Sequence, residues 1–212
     1  QDLHVSASPI GLLVTGYAWL VALTAIPLTI VCSGINRRIL VAGLMALVGA
    51  INLLSAMTPT YTVLALLRIV LALGHGVFWS ILSGLAVRLA PELPIARVTG
   101  MAFTGVAVAF AGGIPLASAI GHWLGWRVAF SLTGVLVVAV LAGALVFLPP
   151  LPALKRLMDI RHLPAHPVLP HIALLSACAA TAHFTAFTLF LLLLLTSINA
   201  TPPKIPLLLI VF

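Results

Sequence analysis

Residues 61–87 read YTVLALLRIVLALGHGVFWSILSGLAV, and the rest of the chain is best understood outward from this stretch. At 1.5 Å per residue such a helix exceeds the ~30 Å of a bilayer's hydrocarbon core. Yet it carries an arginine, Arg68, and a histidine, His75. At 3.6 residues per turn, Arg68, Ala72, His75, Trp79 and Ser83 share one stripe, and Leu66, Val70, Leu73, Val77 and Ile81 form the opposite one. The second stripe suits lipid. A basic side chain at bilayer depth costs about 2.5–3.5 kcal/mol on insertion scales, so the first stripe is expected to face protein or water. Arg68 lies roughly 10 Å along the helix, where it either snorkels to the nearer surface or faces a cavity. His75 is too deep to snorkel; it either hydrogen-bonds a neighbouring helix or lines a polar pathway.

Composition sets the class. With 63% hydrophobic and 6% charged residues and a mean hydropathy of +1.29, the chain is far from a soluble domain, in which about 25% of residues are charged. The expected fold class is all-α, a polytopic membrane helical bundle. The net charge of +7 gathers in short loops between apolar spans, where it sets orientation, so nucleic-acid binding is not indicated. Cys32 and Cys178 have no ligand spacing, and neither a disulfide, a metal site nor a cofactor is expected.

Windows of about 20 apolar residues place spans at Ile10 to Cys32, Ile39 to Met57, Tyr61 to Val87, Val98 to Ile120, Val128 to Leu148 and Ile172 to Leu195, with a stub from Pro206. Loops 33–38, 88–97 and 149–171 hold Arg37, Arg38, Arg88, Arg97, Lys155, Arg156 and Arg161, against only Arg127 and Lys204 on the other side. The richer side is expected to be cytoplasmic. Gln1 would then lie outside, with no basic leader to carry it there. The chain is therefore expected to be a piece, with at least one helix before it and more after it. Three regions are expected: a first bundle over 1–148, a proline-stiffened linker over 149–171, and the start of a second bundle over 172–212.

Within the first span, Tyr17 and Trp19 belong either to an interfacial aromatic belt or to a solute-facing surface, and Pro27 is expected to kink the helix. The fourth span is rich in small residues. Gly113, Ala117 and Gly121 make small-xxx-small steps that admit a second helix closely, and Gly112, Gly113 and Pro115 together suggest a hinge. Gly125, Trp126 and Arg127 suggest a structural cap, and the span after them offers no chemistry. In the sixth span His183 lies near mid-membrane with Phe187 on its stripe, either packing or facing a cavity. Asp2, Glu92 and Asp159 are the only acids, all assigned to loops, and no HExxH, GxSxG or phosphate-cradling loop occurs, so an enzyme is not expected. If protons are handled in mid-membrane, the histidines are the side chains suited to it.

The tight basic loop ending in Arg37 and Arg38, the arginine Arg68 of a fourth-helix signature, and Gly113, Pro115 and Leu116 of a fifth-helix signature make the chain resemble a major facilitator superfamily carrier of the drug:proton antiporter group. The run Tyr17, Ala18, Trp19, then His75, Phe78, Trp79, Ser80, then Gly125, Trp126, Arg127, and His183, Thr185, Ala186 is most similar to bacterial sugar efflux transporters. Ser33 and Asn36 stand where that superfamily's loop has aspartate and glycine, Ala72 and Ala117 replace glycines, and Leu191 stands where those relatives carry an acid. The resemblance implies an incomplete superfamily fold, covering helices two to seven and the start of eight, in a bacterial inner membrane. It further implies a secondary active transporter that exports sugars or similar small solutes by proton-coupled alternating access. On this reading Tyr17, Trp19, Arg68, His75, Trp79, His183 and Phe187 meet the solute. Arg68, His75 and His183 are candidates for proton coupling, and Arg37 and Arg38 for gating. A multidrug antiporter is the alternative within the superfamily, and a truncated or non-transporting scaffold the alternative outside it.

Overall fold

The computed structural model describes residues 7–153 and, beyond them, only 171, 174–179, 181, 182, 185, 186 and 189. Six helices follow in order: α1 Ala7–Val31, α2 Arg37–Ala56, α3 Tyr61–Leu89, α4 Ile95–Val108, α5 Ile114–Trp123 and α6 Trp126–Phe147. A π-helical turn, Ala109–Gly113, joins α4 to α5 in a single span, so the described residues contain five helices long and apolar enough to cross a membrane. These match the first five expected spans to within a few residues. The sixth span and the stub lie largely outside the described residues.

Local chemistry sets the ends. Asn36 caps α2 by accepting the Arg38 N–H at 2.9 Å, and Thr60 caps α3 by accepting the Val63 N–H at 3.4 Å. Pro91 and Pro94 flank the turn that separates α3 from α4. Gly125 has φ of +90°, a conformation that a side chain would strain, and it lets the chain reverse between α5 and α6. Pro27 sits inside α1 without ending it. Hydroxyls in the spans return their hydrogen to the preceding turn, as with Thr24 to the Leu20 carbonyl and Ser80 to that of Gly76, which leaves no polar atom facing hydrocarbon unpaired at those positions.

Lipid tails are as apolar as leucine, so close packing rather than water exclusion holds such helices together. Leu40, Val41 and Leu44 of α2 and Val77, Ile81 and Leu85 of α3 form the main buried cluster. The apolar stripe of α3 therefore divides. Leu66 and Val70 are exposed as expected of lipid-facing residues, whereas Val77 and Ile81 are only 3% and 7% exposed, because α2 packs on that part of the helix.

Glycines mark the closest approaches. A methyl on Gly76 would lie 3.2 Å from the Ala25 Cα and the Val21 carbonyl oxygen, so α1 and α3 meet backbone to backbone there. One on Gly134 would lie 2.7 Å from Leu53 Cγ and 3.1 Å from the Gly49 carbonyl oxygen, at the α2–α6 seam. Close packing was expected at Gly113 and Gly121 instead. Among the described residues, a methyl on Gly121 would meet nothing within 4 Å, and one on Gly113 would meet only Ala109 of its own helix. Those glycines are not where the described helices approach each other.

Candidate functional site

Three of the side chains singled out in the sequence come together between α1, α2, α3 and α6. The Tyr17 hydroxyl of α1 is hydrogen-bonded to Nδ1 of His75 on α3, and the two rings meet edge to face at 5.9 Å. The hydroxyl donates when the imidazole carries its proton on Nε2; if both ring nitrogens are protonated, Nδ1 must donate instead. Two turns away along α3, Arg68 Nη2 donates to Ser55 Oγ of α2 at 2.8 Å, and its Cζ lies 4.5 Å from the centroid of the Phe130 ring on α6. The Arg68 cation is within electrostatic reach of both Tyr17 and His75. Its Nε is buried without a partner.

The choice between snorkelling and facing protein is thus resolved for Arg68. Its guanidinium turns inward, with one donor on a hydroxyl and its face on an aromatic ring. Ser55 is itself fully buried and passes its own hydrogen to the Ile51 carbonyl, so its lone pairs are free to receive Arg68. Neither Ser55 nor Phe130 stood out in the sequence. Both lie in apolar spans and one belongs to the span expected to carry no chemistry; only the third dimension joins them to Arg68.

The aromatic candidates separate. Trp19 is 64% exposed, and Trp79, 43% exposed, packs edge to face on Phe78. Trp79 lines a hollow of about 440 Å³ between α3 and α4, together with Leu82, Val106, Phe110 and Ile114. His183 and Phe187 lie outside the described residues. Gly112 and Gly113, expected as part of a hinge, fall within the π turn and Pro115 just after it. Proline lacks the N–H of a regular turn and its ring crowds the carbonyl four residues back, so a widened turn immediately before it is the local answer.

At the two ends of the bundle, arginines tie helices by their carbonyls. Arg127 Nη2 donates to the Thr58 carbonyl at 2.9 Å and its Cζ lies 4.3 Å from the Trp126 ring centroid, which fastens the start of α6 to the end of α2, the cap that the sequence suggested. At the opposite, basic end, Arg38 donates to the Leu145 carbonyl near the end of α6, and Arg88 to the Pro152 carbonyl at 2.8 Å. The Arg37 backbone N–H donates to the Leu151 carbonyl at 3.0 Å, so residues 148–152 fold across the start of α2. The remainder of the linker, 154–170, lies outside the described residues.

Long apolar helices whose arginines turn inward onto hydroxyls, rings and carbonyls define a multi-pass membrane protein. The family model of the Major Facilitator Superfamily matches residues 1–212. The chain belongs to that superfamily, and is a membrane transporter of its all-α fold.

Proposed function

We propose that this protein exports sugars or similar small polar solutes in exchange for protons, by alternating access of two helical bundles joined by the linker over 149–171. The observation that carries the reading is the Tyr17–His75 pair, with the inward-turned Arg68 two turns away on the same membrane-spanning helix. Charged and titratable groups persist there when they do work. His75 is the proton-handling group: taking up a proton reverses the polarity of its bond to Tyr17 without breaking it, and so changes how α1 holds α3. Arg68 senses the same change through its charge and relays it to α2 and α6 through Ser55 and Phe130. Trp79 supplies an aromatic face for a sugar ring in the α3–α4 hollow. Trp19, His183 and Phe187 complete the solute contacts, His183 serves as a second proton carrier, and Arg37 and Arg38 act in gating. The basic loops face the cytoplasm of a bacterial inner membrane.

A multidrug antiporter is the second reading, and the apolar lining of that hollow favours it. Lipophilic cations stack on such walls without needing hydrogen bonds. Uptake into inverted vesicles with an imposed pH gradient separates the two, since sugars compete for one carrier and dyes for the other. In the full-length protein, Arg68→Ala and His75→Ala are expected to lower proton-driven uptake at least tenfold while membrane insertion stays intact. Wild-type uptake in both variants would remove the site assignment.

A further inference from the structure

At the basic end of the bundle lies a cavity of about 500 Å³ between the end of α1, the start of α2 and the last turns of α3. Thr29, Ser33, Arg37 and Arg88 supply its polar wall, and Ile30 and Leu85 part of its apolar one. Arg37 and Ser33 are 6% and 7% exposed. Even so, Arg37 Nη1, Arg88 Nη1, Ser33 Oγ and Thr29 Oγ1 are all buried without a hydrogen-bond partner. Four orphaned polar atoms around one cavity, two of them on guanidinium groups, are a rare arrangement, since buried polar groups are almost always satisfied.

No carboxylate lines the cavity. The chain has three acids in all, and Glu92 is exposed in the turn after α3. Among the described residues, these two positive charges have no counter-ion, which calls for an anion. Two guanidinium groups and two hydroxyls on residues lining one space supply the donors that a tetrahedral oxyanion with several acceptor atoms requires. The start of α2 adds the positive end of its dipole to the same region.

We infer that this cavity binds a phosphate group, held by Arg37 and Arg88 with Ser33 and Thr29 donating to its remaining oxygens. The group comes from an anionic phospholipid or from free phosphate. The apolar wall and the position at the end of the spans suit a phospholipid, whose acyl chains would run along the exposed α1 face past Ile26 and Leu23. This site is separate from the Tyr17–His75–Arg68 cluster and stands whatever solute that cluster serves.

The test is the unfolding midpoint of the full-length protein in detergent, titrated with short-chain phosphatidylglycerol, short-chain phosphatidylcholine or inorganic phosphate. Phosphatidylglycerol is expected to raise the midpoint saturably, at concentrations at least tenfold below any effect of phosphatidylcholine, and R37Q/R88Q to weaken that response at least tenfold. An equal response to inorganic phosphate keeps the site and assigns it to the free anion. Should the double arginine variant fail to fold, T29V/S33V removes two donors at constant charge and is expected to weaken the response about threefold. Equal stabilisation by both lipids, a response unchanged in the variants, or no saturable response to either phosphate source overturns the proposal.

Discussion

The α2–α6 seam and the α4–α5 span both contain glycine, and they use it oppositely. In the seam, Gly49 and Gly134 face each other, and a methyl on either would press on the partner helix. Along α4 and α5, Gly100, Gly105, Gly112 and Gly121 meet nothing within 4 Å among the described residues, while the backbone opens into a π turn before a buried proline. One set of glycines removes volume so that two helices can touch. In the other set, Gly112 removes a side chain where the helix departs from regular geometry. The seam is closely packed, whereas the α4–α5 span carries an irregular turn with open space around it among the described residues; the proposed alternating access would use the first as a fixed joint and the second as a deformable one.

The largest expected effect breaks the joint. Gly134→Val places branched carbon against Leu53 Cγ and the Gly49 carbonyl, and the carbonyl cannot move without displacing α2. Overpacking of this kind costs about 3 kcal/mol. The midpoint of unfolding on titration with a denaturing detergent is expected to fall accordingly. A midpoint within error of wild type would mean that the seam is looser than its glycines indicate.

A smaller effect tests whether the seam is held by chemistry as well as by shape. Phe130→Leu keeps most of the apolar volume but removes the ring face beneath Arg68, a loss of about 1 kcal/mol for a desolvated cation–π contact. Phe103→Leu on α4, where the ring is exposed, is the matched control and is expected to change stability by less than about 0.5 kcal/mol. Equal losses in the two variants would show that the Arg68 contact contributes nothing beyond aromatic bulk.

This contrast also explains what the sequence disclosed and what it withheld. Span number and length follow from hydropathy alone, because a bilayer imposes a minimum apolar run whatever the packing. The inward turn of Arg68 was one of two outcomes that the cost of charge in hydrocarbon left open, snorkelling to the nearer surface being the other. Its partners did not, because Ser55 and Phe130 are ordinary residues for any membrane helix and become specific only when α2 and α6 close around α3. Which glycines pack against the described helices was hidden for a related reason. A small residue looks the same in one dimension whether a neighbouring backbone or a bent helix requires it, and the small-xxx-small spacing at Gly113, Ala117 and Gly121 could not distinguish the two. His75 and Trp79 show the limit of a helical-stripe argument as well. Residues within one stripe of α3 meet different neighbours at different depths, so His75 bonds α1 while Trp79, one turn on, lines the space toward α4.

The smallest structural effect carries the sharpest consequence for mechanism. Gly112→Ala introduces a methyl that would meet nothing within 4 Å among the described residues, so no packing cost opposes it there. Alanine also reduces the freedom of the unfolded chain and favours helix by up to about 1 kcal/mol over glycine. Stability is therefore expected to stay level or rise by less than about 1 kcal/mol, the reverse of Gly134→Val. If the π turn must flex for the bundles to exchange access, the same stiffening slows solute exchange severalfold in vesicles, while the affinity for solute stays near its wild-type value. Exchange at the wild-type rate would leave the turn as a static accommodation of Pro115, and the deformable joint would have to be sought elsewhere in the bundle.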